Sequence, residues 1–170
     1  MWSQILIFLT ISKKGNPVNT RIDSRKVAPA GMQALFGVHT YLHHKTELSK
    51  PIIDLVFLRT SQINGCAHCI DMHSRDLLQE GMPVEKLVLV PAWREAGSLF
   101  DDLERAVLAW TETVTNVATT NIPDADYDAA LAVIPEKMLV DLTITIGLMS
   151  AYNRLGVAFR LPPAAVLSAR

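Results

Sequence analysis

The stretch SQINGCAHCIDMHSRDL, residues 61–77, holds both cysteines of the chain and two of its five histidines. Asn64-Gly65 is a typical helix end, because glycine readily adopts the left-handed conformation that closes a helix. Cys66 follows directly, and helical spacing continues from it as far as Gly81, a second terminating glycine. The stretch therefore predicts two consecutive helices, with the cysteine pair at the start of the second.

The rest of the sequence also has the pattern of helices separated by short turns. The start signals are Ser49 as an N-cap, Asp101 with Glu104 as a capping box, Asp124 as an N-cap, and Pro135 at the opening of the last long helix. The composition agrees, since 49% of the residues are hydrophobic, only 6% are aromatic and glycine occurs 8 times. We expect an all-α fold of about six to seven helices.

The charge pattern argues against two classes of partner. Sixteen basic and seventeen acidic residues give a net charge of -1, and no run of five like charges occurs. A nucleic-acid-binding surface or a polybasic membrane patch needs clustered basic residues. We therefore expect neither nucleic acid nor a membrane among the partners.

The chain divides into an extension, a domain and a tail. Residues 20–161 have the size of one ordinary domain, residues 1–19 precede it and residues 162–170 form a C-terminal tail. The extension opens with MWSQILIFLTI, which is too short to span a bilayer and lacks the basic start of a signal peptide. We interpret it as an appended strand or helix, or as a start site assigned too far upstream.

On a helical wheel, with about 100° per residue, Cys66, Cys69 and His73 share one apolar face and His68 points away from it. A thiol at a helix N-terminus is acidified by the free N–H groups there, which favours a thiolate at Cys66. An imidazole four residues after Cys69 can take or hold its proton. A cysteine three residues away can condense with a sulfenic acid to give a disulfide.

Three interpretations of the cysteine pair stay open on these grounds. Cys66, Cys69 and His73 could supply three ligands of a zinc site with a fourth from elsewhere, although no second Cys/His pair exists. Both cysteines could be inert core residues, because free cysteine is often buried. A redox pair is the third; a structural staple is excluded, because so short a loop removes little chain entropy.

The spacing Asp54-x11-Cys66-x-His68-Cys69-x3-His73 resembles the active-site signature of the AhpD-like alkylhydroperoxidases, within the carboxymuconolactone decarboxylase superfamily. There the upstream acid is Glu rather than Asp. The likeness to the peroxidase-related branch extends over most of residues 20–161. It implies an all-α AhpD-like domain, with the CxxC pair at the N-terminus of a central helix, that assembles into a homotrimer or homohexamer.

The resemblance also implies a role for each site residue. Cys69 attacks the peroxide, and Cys66 supplies a proton and then resolves the sulfenic acid as a disulfide. Asp54 and His73 form a proton relay that deprotonates a thiol, and His68 has a less definite part. Asp54 is one methylene shorter than the family's Glu, so its carboxylate needs a water to reach the site or does not reach it.

The implied function is that of a thiol-dependent alkyl hydroperoxide reductase in the cytoplasm, with a peroxide substrate, an external dithiol or disulfide reductant, and no cofactor or metal. One alternative is a decarboxylase of the same superfamily, which would bind its substrate carboxylates with cations such as Arg59, Arg94 or Arg154. Another is a non-enzymatic oligomeric redox-sensing module.

Overall fold

The computed structural model describes residues 20–168, so the prediction for residues 1–19 lies outside the described part. Between residues 20 and 168 the chain forms ten α-helices, with two short 3₁₀ segments at Val90–Glu95 and Gly97–Leu99. The helices are α1 Ser24–Val27, α2 Pro29–Lys45, α3 Lys50–Asn64, α4 Ala67–Gln79, α5 Val84–Val88, α6 Asp102–Thr115, α7 Val117–Thr120, α8 Asp124–Leu131, α9 Glu136–Ala158 and α10 Ala164–Ser168.

The all-α prediction is confirmed, although the helix count is higher than expected. The additional helices α1, α7 and α10 are only four or five residues long. Helices so short have almost no hydrophobic periodicity, and their form depends on the tertiary packing around them. The predicted tail contains one of them, α10, which packs against α4.

Helix α3 is the centre of the molecule and packs against α4, α6 and α9. Its residues Ile53, Leu55, Val56, Phe57 and Leu58 are all almost completely buried. A helix that is apolar around its whole circumference is buried on every side. Polar side chains on α3 are therefore held inside the protein and need partners there.

The predicted corner between α3 and α4 is confirmed. Gly65 has a φ of 70° and closes α3 in the left-handed conformation, with its N–H donating to the Ser61 carbonyl. Cys66 is the N-cap of α4 in extended conformation, at φ -88° and ψ 93°. Only Gly65 and Cys66 lie between the two helices, so the buried helix α3 fixes where α4 begins and where the cysteines lie.

The predicted helix starts are mostly confirmed. Asp101 and Glu104 form the capping box of α6, with hydrogen bonds of 2.8 and 2.9 Å. Ser49 and Pro135 are the N-cap residues of α3 and α9. The prediction for Asp124 is wrong, because Pro123 occupies the N-cap of α8 and Asp124 is its first helical residue. No helix in the described part of the chain is long and apolar enough to cross a membrane.

Candidate active site

The two cysteines are free thiols buried between α4 and α9. Cys66 is 1% and Cys69 3% exposed. Both sulfurs lie against Gly156 of α9, where a Cβ atom would stand 2.7 Å from the Cys66 Sγ and 3.7 Å from the Cys69 Sγ. Only glycine leaves room there for the sulfurs, so α9 forms one wall of the thiol site.

The two thiols are in hydrogen-bond contact with each other. Cys69 donates its S–H to the Cys66 sulfur, and this hydrogen bond, with the Cys69 backbone N–H and the charge of His68, lowers the pKa of Cys66 to about 6 against the opposing effect of burial. The same hydrogen bond, together with burial, raises the pKa of Cys69. At neutral pH the pair therefore holds one negative charge, centred on Cys66.

An amide from α9 supports this charge. Asn153 is 1% exposed; its Nδ2 donates to the Ser61 hydroxyl at 2.9 Å, and its Oδ1 accepts from Asn64 at 3.0 Å. Its side chain also hydrogen-bonds the thiols and lowers the pKa of both. Asn153 thus ties the α3–α4 corner to α9 beside the sulfurs.

His73 lies between two carboxylates. Its Nδ1 is 3.3 Å from Asp54 Oδ1 of α3 and 3.3 Å from Asp76 Oδ2 of α4. Asp54 therefore reaches the imidazole directly, without the additional methylene of Glu. The His73 Nε2 is buried and has no hydrogen-bond partner in the described part of the molecule. With Nδ1 held by carboxylates, Nε2 is the free proton acceptor.

This acidic cluster also has the composition of a cation site. Ligand atoms of Asp54, His73 and Asp76 lie within 4.8 Å of one another. The cation beside it in this structure is Lys50, whose Nζ is 3.7 Å from Asp54 Oδ2 and is also paired with Glu80. The ammonium group partly balances the two carboxylates.

His68 lies close to the site, whereas the helical wheel turned it away. Its Nδ1 is 2.8 Å from the Pro162 carbonyl oxygen, and its ring lines the same cavity as Cys69 and His73. The C-terminal segment covers this side of α4, and Ala165 donates its N–H to Asp71 at 3.1 Å. The side of α4 that the wheel assigned to solvent is thus covered by residues 94 positions later in the chain.

A cavity of about 600 Å³ opens onto the thiol site. Cys69, His68 and His73 line it, and so does His39 of α2, whose pKa is lowered by burial and by the neighbouring His43. Most of the remaining wall is apolar, and the polar groups on it are few. The apolar residues are Met32, Phe36, Phe57, Met72, Met149, Leu155 and Leu161.

The three arginines considered for a decarboxylase do not line this cavity. Arg59 and Arg94 both pair with Glu112 of α6. Arg154 donates to the Ser150 carbonyl within its own helix. None of them faces the thiols.

The structure brings together the five residues chosen from sequence, in two adjoining groups. Cys66, Cys69 and His68 lie at the N-terminal end of α4, and Asp54 with His73 lie beside them. The sequence argument missed Asn153, Gly156, Asp76 and His39. Asp76 had a signal, since it is three residues after His73 and therefore a neighbour on the helix surface. The α9 residues had none in the local pattern.

The fold and this site agree with what comparison with known proteins finds. Residues 29–113, half of the 170-residue chain, match the Carboxymuconolactone decarboxylase family. The chain belongs to this family, and within it to the AhpD-like proteins.

Two of the similar proteins are uncharacterized, and a third has a named activity but shares only the fold. The uncharacterized protein YdfG of Bacillus subtilis (strain 168) is 28% identical over 141 residues, which cover 83% of this chain and 95% of YdfG. The structure of ATU0492 from Agrobacterium tumefaciens, a protein of unknown function proposed to be an antioxidant defence protein AhpD, is 33% identical with a TM-score of 0.81, covering 85% of this chain and 98% of that one. The debrominase Bmp8 is 15% identical with a TM-score of 0.70, covering 79% and 72%, and shares the fold alone.

Proposed function

We propose that this chain is a thiol-dependent alkyl hydroperoxide reductase that cycles a disulfide between Cys66 and Cys69. The observation that carries the proposal is a pair of free, buried thiols packed together against Gly156, of which only Cys69 lines the cavity. A thiolate in hydrogen-bond contact with a second thiol provides both the nucleophile and the group that resolves its oxidised form.

The oxidation takes two steps. When a peroxide enters the cavity, the Cys69 S–H proton passes to Cys66 and the Cys69 thiolate attacks the terminal peroxide oxygen. The O–O bond breaks, Cys69 becomes a sulfenic acid, and the Cys66 thiol protonates the departing alkoxide to give the alcohol. The Cys66 thiolate then attacks the Cys69 sulfur, the S–S bond forms and hydroxide leaves.

Access to peroxide, rather than acidity, assigns the attack to Cys69. The more acidic thiol, Cys66, does not line the cavity, whereas Cys69 does. A thiol of lower pKa is also the weaker intrinsic nucleophile once both are ionised. Cys66 is better suited to hold the charge at rest and to donate the proton in the first step.

An external dithiol reduces the disulfide and is itself oxidised to a disulfide. Both cysteines are then protonated, and one proton must leave to restore the thiolate. His73 is the acceptor, because its Nε2 is unpartnered and Asp54 and Asp76 stabilise the imidazolium that forms. That proton and the hydroxide released earlier make the water of the reaction.

The test is dithiothreitol-dependent consumption of cumene hydroperoxide by wild type, Cys66→Ser and Cys69→Ser, with Gln79→Ala on the exposed side of α4 as control. We expect both cysteine variants to lose activity by about 100-fold or more. Peroxide-treated Cys66→Ser should give a dimedone adduct at Cys69. Equal turnover by wild type and Cys69→Ser would exclude the peroxidase.

The two alternatives predict other results in the same experiment. A redox-sensing module would form one disulfide per chain with peroxide and then stop, even with dithiol present. A decarboxylase would act on a carboxylated lactone at a rate that Cys69→Ser leaves unchanged.

We also assign a homo-oligomer, a trimer or hexamer, working in the reducing cytoplasm, where a dithiol is available. Apolar side chains remain exposed on α9, where Val140 is 59% exposed and Ile144, one turn later, is 37% exposed, and adjacent apolar groups on one face of a long helix are suited to a subunit contact. Light scattering coupled to size exclusion measures the mass; a monomer at micromolar concentration would contradict this assignment.

A further inference from the structure

Arg25 is the only Lys, Arg, Asp or Glu among the described residues that line the thiol cavity. It belongs to α1 and is exposed, whereas Cys69 in the wall of the same cavity is buried. The cavity therefore has a polar, solvent-facing part with a positive charge and a dry part with the thiol. Ser24 and Gln33 add neutral polar groups to the lining.

The guanidinium of Arg25 is available for a ligand. No side-chain hydrogen bond or ion pair of Arg25 occurs among residues 20–168. The nearby Asp23 caps α1 through the Arg25 backbone N–H at 3.1 Å, and its carboxylate pairs with Lys26 at 3.6 Å. The neighbouring acid thus has partners other than the Arg25 side chain.

A second donor faces the same space. Tyr152 of α9 lines the cavity, and the charge of Arg25 acts on its hydroxyl. That hydroxyl makes no hydrogen bond within the described part of the chain. A guanidinium and a phenol, both without partners, are a suitable pair of donors for a carboxylate.

The cavity that extends from Arg25 and Tyr152 to Cys69 is suited to one hydrocarbon chain. Its volume of about 600 Å³ is within the usual range for small-molecule sites. Methionines form much of its wall, at Met32, Met72 and Met149, and unbranched thioethers adapt to flexible apolar ligands. A peroxide group on such a chain can reach Cys69 while the other end stays near Arg25.

We infer that the preferred substrate is an amphipathic hydroperoxide, a single apolar chain with a carboxylate that Arg25 and Tyr152 bind at the polar end of the cavity. This inference rests on the proposed peroxidase function, but the binding of a carboxylate by Arg25 and Tyr152 does not require peroxidase activity. Arg25 acts as a specificity residue and takes no part in the thiol chemistry.

The first experiment compares linoleic acid hydroperoxide with its methyl ester, which differs only in the charged group, and with cumene hydroperoxide. For wild type we expect kcat/KM for the acid to exceed that for the ester by about fivefold, the value of a partly exposed ion pair. Arg25→Gln should abolish this preference by lowering kcat/KM for the acid to the value for the ester. Arg25→Lys should restore part of it, and Lys26→Gln, the adjacent cation, should behave as wild type.

The second experiment needs no turnover. Dodecanoate and dodecanol, both below their aggregation limits, are titrated into wild type, Arg25→Gln and Lys26→Gln by calorimetry. Dodecanoate should bind wild type more tightly than dodecanol, and Arg25→Gln should remove the difference.

The outcomes separate the two proposals. If no peroxide is consumed but dodecanoate binding depends on Arg25, the peroxidase fails and the carboxylate site stands. Equal rates for acid and ester in wild type, or equal loss of both in Arg25→Gln, overturn the inference about the substrate while the peroxidase stands. Equal binding of dodecanoate and dodecanol by wild type also overturns it.

Discussion

Two acids whose side chains are largely buried, Glu112 and Asp54, differ in the number of hydrogen-bond donors around their carboxylates. Glu112 of α6 accepts from Arg59 and Trp93 at 2.9 Å each, and Arg94 pairs with its other oxygen. Asp54 of α3 has a 3.3 Å contact to His73, and its Oδ2 has no hydrogen bond in the described part of the chain. The first acid is saturated with donors and the second is not.

The difference indicates what each acid does. A carboxylate saturated by cations has one stable protonation state and is suited to holding helices together. A buried carboxylate with a weakly held partner can exchange a proton with it at low cost, as a relay requires. Under the proposed mechanism, the number of donors around each carboxylate thus distinguishes a structural acid, Glu112, from a reactive acid, Asp54.

The largest effect expected from breaking this contrast is on stability, in Glu112→Gln. Removing the charge leaves Arg59 and Arg94 without their anion, which should lower the free energy of unfolding by about 3 kcal/mol. Urea denaturation measures this loss, and activity per folded molecule should stay within about twofold. A stable Glu112→Gln protein without activity would place Glu112 in the chemistry instead.

The contribution of Glu112 to the free energy of unfolding should also depend on pH. Burial opposes ionisation, but the hydrogen bonds from Arg94, Trp93 and Arg59 outweigh it and lower the pKa of Glu112 below its usual value. Because the pKa of Glu112 is lower in the folded state than in the unfolded state, its ionisation stabilises the protein fully above the unfolded-state pKa of about 4.3. This stabilisation is lost as the pH falls through the folded-state pKa. The stability difference between wild type and Glu112→Gln should therefore shrink below about pH 4.

The next effect is on turnover, in Asp54→Asn. An amide cannot accept the imidazole proton, so we expect peroxide turnover to fall by about 30-fold, or about 2 kcal/mol. The matched control is Asp141→Asn, a buried acid on α9 that pairs with Tyr41 and Lys137 outside the cavity. It should lose stability and keep its activity. Equal activity in Asp54→Asn and wild type would remove Asp54 from the relay.

The next effect is on the pKa of Cys66, which Cys69→Ala tests by removing the neighbouring thiol. Without the S–H donor, the pKa of Cys66 should rise from about 6 by about one unit or more. Cys69→Ser keeps a hydroxyl donor and should shift it less. Thiolate absorbance at 240 nm against pH measures both; an unchanged midpoint in Cys69→Ala would mean that the helix terminus alone acidifies Cys66.

The smallest effect is expected from Asp76→Asn. Asp76 contacts the same His73 nitrogen as Asp54 but is about one-third exposed, so water can replace it. A threefold decrease in turnover, about 0.7 kcal/mol, is expected. A decrease as large as that of Asp54→Asn would mean that the two carboxylates act as one unit.

Sequence reasoning recovered the part of the site that helical spacing encodes. Cys66, Cys69 and His73 share a face because 3.6 residues make a turn. Asp54 lies on the preceding helix and was chosen only through the resemblance to the AhpD-like family. Asn153 and Gly156 could not be found in this way. Their place depends on the register with which α9 packs against α4, and no local pattern in either helix specifies that register.

The misplacement of His68 has the same cause. The wheel describes one helix in solvent, but residues 161 and 162 cover the side on which His68 lies. The short helices α1, α7 and α10, the N-cap of α8 and the place of His39 in the cavity wall were not found for a similar reason, since neighbouring elements decide their environment. Local chemistry along one helix was predictable, and contacts between distant segments were not.

In the proposed catalytic cycle, the burial of the two sulfurs limits which reducing agents can reach the disulfide. A disulfide exchanges only when an incoming thiolate lines up with one of its sulfurs, and Cys66 and Cys69 are 1% and 3% exposed. The flat surface of a folded partner protein cannot bring its thiolate to such a sulfur while the C-terminal segment stays on α4. A slender dithiol that enters through the cavity can, so the opening acts as a steric filter for electron donors.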